Sequence, residues 1–233
     1  MRNTGGSARA PLSRERVLRA AVALADEDGI ESLSMRKLGE ALGVQAMSLY
    51  RYVSGRDDVL DGMADLVVAE IDLPRPGAPW RVAMRQRAIS AHEVVLRHPW
   101  ASSLIESRKS LSPERLRYAD TILGSLREAG FPIAVAGRAF FILDSYVYGF
   151  TLQEVNQGVP AQELPQVVAR LRPQVPTEVY TNLAEFMEHL ARRNPRSSRS
   201  RRKHESSYAA DFEFGLDLIL DGLQSLLTAR GQR

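Results

Sequence analysis

The sequence predicts an all-α protein with a small N-terminal domain and a larger C-terminal one. Apolar residues recur at intervals of three or four along most of the chain, as at Val17 and Ala21, which is the spacing of one helix face. No long stretch alternates with period two, and β-branched residues are sparse, so strands are not expected. Residues 73–79 hold three prolines and a glycine, which indicates a linker. We therefore predict helical domains over residues 12–72 and 80–233.

Four helices are predicted in the N-terminal domain, and capping or helix-breaking residues mark their ends. Ser13 and Ser34 are suitable N-caps, because a serine hydroxyl accepts a hydrogen bond from the first turn of a helix. Gly29, Gly43 and Gly55 end or separate helices, since glycine adopts backbone conformations that other residues avoid. The predicted helices run from about Ser13 to Gly29, Ser34 to Leu42, Gln45 to Tyr52 and Asp57 to Ile71.

Seven further helical patterns follow in the C-terminal domain. Residues 1–11 are rich in Gly, Ala, Ser and Arg and are expected to form a disordered tail. The segment 194–207 is rich in Ser, Arg and Lys and is expected to be a mobile basic loop. The helical patterns lie near residues 80–97, 100–108, 112–129, 132–156, 161–171, 177–192 and 207–229.

The composition favours a soluble protein with a nucleic-acid partner at one end. The chain has 233 residues, 44% of them hydrophobic, and no cysteine, which excludes disulfides and thiolate zinc sites. The net charge of +3 is unevenly spread, because residues 192–203 carry seven basic residues and no acid, and residues 1–56 carry nine basic against six acidic. The N-terminus lacks an apolar signal segment, and Arg138, Asp144 and Gly149 interrupt the most apolar run. We expect a cytoplasmic protein with no membrane partner.

Residues 34–56 show the pattern of a helix-turn-helix. Leu38, Leu42 and Leu49 are spaced so that two short helices can pack across a turn, for which Gly43 supplies the backbone conformation. In this arrangement the first residues of the second helix face base edges in the major groove, and the hydroxyl and guanidinium groups that follow suit phosphates. The outward-facing candidates for DNA contact are Arg36, Gln45, Ala46, Met47, Ser48, Tyr50, Arg51 and Tyr52.

The same pattern has a less specific interpretation. Three short amphipathic helices with a glycine turn occur in many proteins that do not bind DNA. Tyr50 and Tyr52 can equally be half-buried packing residues. The basic run from Arg192 to Lys203 is most simply a solvated loop, with non-specific phosphate contacts as the alternative.

No pattern indicates an enzyme or a metal site. The histidines at 92, 98, 189 and 204 do not pair at three- or four-residue spacing, and none has a carboxylate partner at the spacing of metal ligands. The G-x-S-x-G, phosphate-loop and dinucleotide-binding patterns are absent as well. We therefore predict no catalytic residue, no metal and no cofactor.

Two C-terminal helices are apolar on more than one face. The helices near 133–154 and 207–229 each carry more apolar side chains than one core can cover, so each needs a second partner. We interpret this partner as a second copy of the chain, with the helices packed as a four-helix bundle; a monomer with a larger cavity is the alternative. The predicted interface residues are Phe140, Val147, Phe212, Leu216, Ile219, Leu220 and Leu223.

The segment from Leu12 to Ile71 resembles the DNA-binding domain of the TetR (tetracycline-repressor) family. The resemblance implies that Arg36 contacts bases or phosphates and that residues 45–47 face bases. It also places Arg56, together with Ser48, Tyr50 and Tyr52, on the DNA backbone. The matching segments are Ala21, Leu24, Asp28-Gly29, SLSMRKL at 32–38, LGV at 42–44, SLY at 48–50, Tyr52-Val53 and RDDVL at 56–60.

The remainder of the chain resembles the tetracycline-repressor-like C-terminal domain more loosely. This resemblance implies a helical dimer with a ligand cavity in each subunit. The features that carry it are Trp80, His98-Pro99, Gly130-Phe131, Tyr148 to Glu154 and the closing helix at 212–223.

The resemblance also predicts the character of the effector. Asp72, Arg87, Ala91 and Ile105 stand where the founding members carry the polar and histidine groups that bind the drug and its metal, and only Glu154 is kept. We therefore expect an apolar or amphipathic effector and not magnesium-bound tetracycline. The expected cavity residues are Arg87, Ala91, Trp100, Ile105, Phe141, Ser145 and Glu154.

Patterns and resemblance together predict a homodimeric transcriptional regulator. It is expected to be a repressor that binds a palindromic operator in double-stranded DNA and is released by a small-molecule effector. Two other classes are a low-specificity structural DNA-binding protein, which needs no cavity, and a helical enzyme with the same fold. The missing catalytic pattern argues against the enzyme.

Overall fold

A computed structural model describes residues 11–108, 112–157, 159, 163–192 and 208–231. Over these residues the chain is helical and contains no β-strand, so the predicted all-α class is confirmed. The predicted tail falls outside the described residues except for Pro11, and the predicted basic loop falls wholly outside them. The helices are α1 (Arg14–Asp28), α2 (Met35–Leu42), α3 (Ala46–Leu49), α4 (Arg56–Ala69), α5 (Trp80–Arg97), α6 (Ala101–Ser107), α7 (Pro113–Glu128), α8 (Ile133–Gln157), α9 (Leu164–Leu171), α10 (Thr181–Arg192) and α11 (Ala209–Gly231).

The first two helices begin at the predicted capping residues. The hydroxyl of Ser13 accepts a hydrogen bond from Arg16 N at 3.2 Å, and that of Ser34 accepts one from Lys37 N at 3.2 Å. Gly43 follows α2 with φ 69° and ψ 35°, a left-handed conformation that glycine adopts without steric cost. These residues fix where α2 starts and stops, and so the direction in which α3 leaves it.

The second helix of the helix-turn-helix is shorter than the sequence predicts. The prediction runs from Gln45 to Tyr52, whereas α3 ends at Leu49. The chain continues as a turn, in which Tyr52 N donates to Leu49 O at 2.8 Å. Val53 N also donates to Leu49 O at 3.1 Å, so Val53, four residues after Leu49, stays on the same side and joins the same apolar core.

Helices α1 to α4 and α6 bury their apolar faces in one core. Leu104 of α6 belongs to this core, and Trp100 and Ile105 pack against it. Helix α6 is therefore held by the same apolar packing as the helix-turn-helix. The N-terminal members of the core are Val17, Leu18, Ala21, Ala25, Leu33, Leu38, Leu42, Leu49, Val53, Val59, Leu60, Met63 and Ala64.

The chain divides into two compact units, of which the first ends at Tyr148 and the second begins at Gly149. The predicted boundary lies at 73–79 instead. The difference arises because α4 packs on α6 and α7, which ties the N-terminal helices to the first part of the C-terminal region. A separate domain over residues 12–72 stays a prediction.

The second unit contains α9, α10 and α11. Helix α9 packs on α10, and Arg172 Nη2 lies 2.7 Å from Glu188 Oε1. In α11, Phe212, Leu216 and Leu220 are buried at four-residue intervals. These three residues form the one buried stripe that a helical period predicts.

Among the described residues, α8 is a helix long and apolar enough to span a membrane by length and composition. The stretch Ile133–Asn156 has a mean hydropathy of 1.3 over its most apolar window, of which 28% is buried. The sequence analysis took Arg138, Asp144 and Gly149 to break this run, but these residues do not lower its mean hydropathy below that of a possible membrane span. A single such helix is weak evidence, since core helices of water-soluble proteins meet the same criterion.

We expect Gly39→Ala to lower the free energy of unfolding by about 1–3 kcal/mol, the usual cost of overpacking. An added Cβ would lie 2.9 Å from Val44 O and 3.1 Å from Ala46 N, which are backbone atoms of the turn. They cannot move aside without displacing α3. Urea unfolding followed by circular dichroism measures the change.

Gly124→Ala in α7 is the matched control. A Cβ there meets no atom within 4 Å, so alanine should stabilise the helix by roughly 0.5–1 kcal/mol. A Gly39→Ala chain as stable as the wild type would contradict the close approach of α2 to the turn.

Candidate nucleic-acid interface and effector site

The helix-turn-helix presents an exposed surface that includes the predicted base-facing residues Gln45 and Met47 and the predicted backbone contact Ser48, whereas Ala46 is half-buried. Met47 is 75% exposed, and Gln45 and Ser48 are exposed beside it in sequence. On the other side of the same short helix, Leu49 is 0% exposed. The core therefore fixes the helix through Leu49 and leaves its outer side free for a partner.

The two tyrosines after α3 have different surroundings. Tyr50 is 48% exposed, as the DNA-contact prediction requires. Tyr52 is half-buried and packs against the N-terminal core, which favours the alternative that it is a packing residue. Arg51 between them is exposed.

The predicted arginine contacts are also accessible. The side chain of Arg36, at the start of α2, is 87% exposed, and its Nε lies 3.7 Å from Glu40 Oε1. Arg56, at the start of α4, donates from Nε to the carbonyl oxygen of Leu33 at 3.2 Å and remains exposed. That hydrogen bond fixes the position of the Arg56 side chain against the helix-turn-helix.

A bidentate ion pair joins α1 to the start of α4. Arg14 Nη1 and Nη2 donate to the two carboxylate oxygens of Asp58 at 2.8 and 2.6 Å. Asp58 also accepts the backbone N–H of Ser54 at 2.8 Å. The hydrogen bonds from Arg14, helped by Ser54, hold the pKa of Asp58 down to about 2 against the effect of burial. The ion pair thus holds in place the residues that follow α3, the second helix of the helix-turn-helix.

The residues that precede α6 are bonded to both α1 and α4. His98 Nδ1 lies 2.8 Å from Asp26 Oδ1, and its Nε2 lies 3.4 Å from a carboxylate oxygen of Glu70. Trp100 Nε1 donates to Asp26 Oδ1 at 2.7 Å. The start of α6 therefore cannot shift without straining contacts to α1 and α4.

The segment after α6 is bonded to the first two turns of α4. Arg108 Nη2 donates to Asp57 Oδ1 at 2.7 Å and Nη1 to Asp61 Oδ1 at 3.2 Å. With the contacts of His98 and Trp100, α6 is attached to the N-terminal helices at both of its ends.

A buried polar cluster lies where α5, α7 and α8 meet within the first unit. Arg87 is 1% exposed, and its Nε donates to the hydroxyl oxygen of Tyr118 at 2.8 Å. Its Nη2 donates to Tyr118 and to the carboxylate of Asp144. A side-chain hydrogen bond connects Tyr118 to Tyr148. This cluster, which we call the Arg87 cluster, brings one basic, one acidic and two phenolic groups together.

The Arg87 cluster is electrically balanced. Burial opposes the charged form of Arg87, but its interactions with Tyr118 and Asp144 outweigh burial and raise its pKa. Burial raises the pKa of Tyr118 to about 12, so this phenol keeps its proton at neutral pH. Burial raises the pKa of Asp144, and the charge and hydrogen bond of Arg87 oppose that rise. We assign Asp144 as the charged partner of Arg87, because a buried guanidinium needs a compensating charge.

Two family models match the chain. "Bacterial regulatory proteins, tetR family" matches residues 17–63, and "Tetracyclin repressor-like, C-terminal domain" matches residues 73–227. Among curated proteins, the HTH-type transcriptional repressor DrrR1 of Streptomyces coeruleorubidus is 32% identical over 225 residues, covering 94% of this chain and 80% of DrrR1. The chain belongs to the TetR family. It is therefore a ligand-responsive, DNA-binding transcriptional repressor, as the sequence predicted.

Solved TetR-family structures share this fold over nearly the whole chain. A possible TetR family transcriptional regulator from Streptomyces coelicolor A3(2) is 31% identical with a TM-score of 0.71, covering 92% of this chain and 100% of that one. ActR of Streptomyces coelicolor, solved in complex with (S)-DNPA, is 25% identical with a TM-score of 0.71, covering 93% and 98% of the two chains.

The structure does not gather the predicted effector residues of this TetR-family chain into one site. Trp100 and Ile105 pack on the N-terminal core, and their role in effector binding stays a prediction. Phe141 is 69% exposed and Ser145 is exposed too, since both lie on the outer side of α8. Neither lines an enclosed cavity within one chain.

Arg87 and Ala91 are the predicted effector residues that lie buried one helical turn apart on α5. Glu154 lies in the second unit and is half-buried. The sequence analysis missed Tyr118, Asp144 and Tyr148 as neighbours of Arg87. An acid within the otherwise apolar α8 was the available signal for Asp144.

Most of the predicted dimer residues are buried within the single chain. Periodicity alone does not say which of two apolar sides of a helix meets the chain's own core. Phe140 and Ile219 are half-buried. The place of all seven residues in a dimer interface stays a prediction. The five that are buried in the single chain are Val147 (0% exposed), Phe212 (1%), Leu216 (0%), Leu220 (0%) and Leu223 (6%).

An open groove of about 590 Å³ lies in the second unit, between the end of α9 and the start of α10. None of the predicted effector residues lines it. Within the part of the chain that the structure describes, no three His, Asp or Glu side chains are grouped as metal ligands would be. The groove is lined by Ala169, Arg172, Pro173, Val175, Pro176, Thr177, Glu178 and Val179.

We expect Asp58→Asn to destabilise the chain at neutral pH by about 1 kcal/mol, a value reduced because Arg14 is half exposed and solvent screens the pair. The pKa of Asp58 is about 2 in the folded chain against an ordinary 3.8. The pair therefore stabilises the fold above about pH 4, and this stability is lost as pH falls through about 2. Urea unfolding at several pH values should show the wild type and the variant converge over that range.

Glu15→Gln is the control, because it removes a more exposed ion pair on α1. Arg19 Nη2 lies 2.6 Å from Glu15 Oε1, with side chains 73% and 65% exposed. Such a pair contributes roughly 0.3–0.5 kcal/mol or less. If Asp58→Asn changed stability no more than Glu15→Gln at neutral pH, the clamp between α1 and α4 would be refuted.

Proposed function

We propose that this TetR-family repressor binds a palindromic operator as a homodimer and leaves it when a small apolar or amphipathic effector binds. The observation that carries the proposal is the exposed surface of Gln45, Met47 and Ser48, held by a buried Leu49. Side chains of this kind suit adenine and thymine edges in a major groove. Exposed Arg36 and Tyr50 beside them suit a guanine and a phosphate.

A second copy of the chain is the partner that a palindrome requires. Each of two helices leaves an apolar side uncovered. On α8, Phe141 is 69% and Ile142 is 49% exposed, and on α11, Phe214 is 69% and Leu218 is 58% exposed. Exposed apolar patches of this kind mark interaction surfaces in soluble proteins.

The contacts of α6 support a route from effector to DNA. An effector changes DNA affinity only by binding one conformation of the chain more tightly than the other. Because α6 shares a core with the helix-turn-helix and is bonded to α1 and α4, a conformation that moves α6 also moves the recognition surface. A DNA-binding repressor of this kind acts in the cytoplasm, without a membrane partner.

Selection from a random pool of double-stranded DNA tests the operator proposal. We expect recovery of one palindromic sequence, with half-site centres about 34–36 Å or a multiple of that apart. Recovery of unrelated sequences with equal affinity would favour a low-specificity DNA-binding protein instead.

Arg36→Ala and Tyr50→Phe are expected to separate sequence specificity from general DNA affinity. Arg36→Ala should cost roughly 1–3 kcal/mol on the selected operator and much less on random DNA, if the guanidinium contacts a guanine. Tyr50→Phe should weaken both DNAs about equally, because it removes a phosphate contact. Fluorescence anisotropy at several salt concentrations measures the affinity of each of the two variants for the operator and for random DNA.

Arg172→Ala is the charge control, because it removes an arginine that is paired with Glu188 in the second unit. This variant should bind both the operator and random DNA with the affinity of the wild type. If Arg36→Ala lowered the affinity for operator and for random DNA equally, Arg36 would contact a phosphate and not a base.

Phe141→Glu and Leu218→Glu are each expected to convert the dimer into a monomer, because each places a charge on an apolar interface. Loss of operator binding should accompany the loss of the dimer. Leu116→Glu, which alters a residue 52% exposed on α7, is the control and should remain dimeric. Sedimentation velocity measures the mass. A folded wild type that sediments as a monomer at micromolar concentration would refute the homodimer.

A further inference from the structure

We propose that Glu40 is a positioning residue for DNA recognition, which holds the guanidinium of Arg36 for a base contact and away from phosphates. The proposal rests on the proposed function, since it assumes that Arg36 contacts a guanine of the operator. It assigns sequence specificity to a residue that does not itself contact a base.

Glu40 is the one acidic residue of the helix-turn-helix. Residues 34–56 contain four basic side chains and a single acid. The side chain of Glu40 is 66% exposed and lies one helical turn from Arg36, on the same side of α2. An acid exposed on a surface that binds DNA weakens binding, because the phosphates repel it. General affinity for DNA therefore does not account for Glu40.

Helix stability does not account for the pair of Arg36 and Glu40 either. Arg36 lies in the first turn of α2 and Glu40 in the last. The helix dipole favours acids near the start of a helix and basic residues near its end, so both charges lie at the less favourable end. The order of the two residues is also the weaker one for an ion pair within a helix.

The geometry of the pair suits guidance of the arginine. Glu40 Oε1 lies 3.7 Å from Nε of Arg36, so the carboxylate approaches the guanidinium near its stem. Arginine binds the O6 and N7 atoms of guanine through two parallel hydrogen bonds, which Nη1 and Nη2 can supply at the other end of the group. Because 3.7 Å exceeds a hydrogen-bond distance, the pair restrains Arg36 without using one of its donors.

The turn after α2 fixes the backbone of Glu40 next to the recognition helix. Gly43 N donates to Glu40 O at 3.1 Å. A Cβ on the preceding residue, Gly39, would lie 3.1 Å from Ala46 N, at the start of α3. Glu40 therefore cannot move away from the proposed DNA surface while the helix-turn-helix stays folded.

The neighbouring Lys37 has a different kind of partner. Its Nζ lies 2.6 Å from Asp28 Oδ2 at the end of α1, and its side chain is 35% exposed. That pair joins two helices, whereas Glu40 compensates a charge within the proposed DNA surface. On random DNA, where no guanine matches Arg36, an uncompensated guanidinium would turn to a phosphate. Glu40 opposes this contact, so it lowers affinity for random DNA more than for the operator.

Glu40→Gln in the full-length chain tests the proposal, because glutamine keeps the size of the side chain and removes its charge. Fluorescence anisotropy measures the affinity for the operator selected with the wild type and for random duplex DNA of the same length. We expect the ratio of operator to random affinity to fall about twofold to fivefold, the range that corresponds to one exposed ion pair. Glu188→Gln, which removes the acid paired with Arg172 in the second unit, is the control and should keep the wild-type ratio.

The same substitution in an Arg36→Ala chain separates positioning from simple repulsion. Without Arg36, the charge of Glu40 repels the phosphates of both DNAs alike. Glu40→Gln should then raise both affinities and leave their ratio unchanged. A ratio that falls equally with and without Arg36 would mean that Glu40 contacts a base itself, and would overturn the proposal.

An unchanged or higher ratio for Glu40→Gln in the presence of Arg36 would also overturn it. Each ratio compares two DNAs on one preparation, so a partial loss of folded chain does not alter it. Failure of the proposed function is seen separately. If Arg36→Ala kept the wild-type ratio, the guanine contact and the role of Glu40 would both be wrong. If Arg36→Ala lowered the ratio and Glu40→Gln did not, only the role of Glu40 would be refuted.

Discussion

The packing of a very short recognition helix on a shared core is the constraint on which the rest of this structure depends. Helix α3 has four residues, too few to be stable alone, because helix nucleation is unfavourable and most helical stability in proteins comes from packing. Leu49 supplies that packing, and Gly39 allows the close approach of the turn. Leu104 of α6 belongs to the same core. The same packing therefore stabilises α3, which is proposed to contact DNA, and α6, which is proposed to respond to a ligand.

Polar contacts then give this apolar packing a defined geometry. The pair of Arg14 and Asp58 and the contacts of His98 and Arg108 lie at the ends of helices, where a small rotation changes a hydrogen-bond distance most. Apolar packing alone tolerates sliding more readily, because it has no preferred direction. The combination suits the proposed dimeric repressor, in which two recognition surfaces would be held at one spacing and released from it by a signal.

The sequence predicted local structure well and side-chain partners poorly. The caps at Ser13 and Ser34 and the glycine turn at Gly43 act through neighbours within a few residues, so their positions were readable. The partners of Arg87 lie 31 and 57 residues away, on other helices, and no spacing rule connects them. A related limit applies to the predicted dimer residues. When a helix is apolar on two sides, the residues of each side recur with the same periodicity. Only burial shows that Leu216 lies on the inward side.

The energetics of switching set how strongly an effector must prefer one state of the repressor. To shift a two-state repressor from almost fully DNA-competent to almost fully released, a ligand must prefer one state by about 10⁴-fold, or about 5.5 kcal/mol. One hydrogen bond to a charged donor contributes roughly 1.5–3 kcal/mol. The remaining 2.5–4 kcal/mol corresponds to about 100–160 Å² of apolar surface buried in only one state, at about 25 cal/mol per Å². An aromatic skeleton has enough surface for this, whereas a small polar metabolite does not. The apolar part of the effector must therefore supply about half of this preference or more.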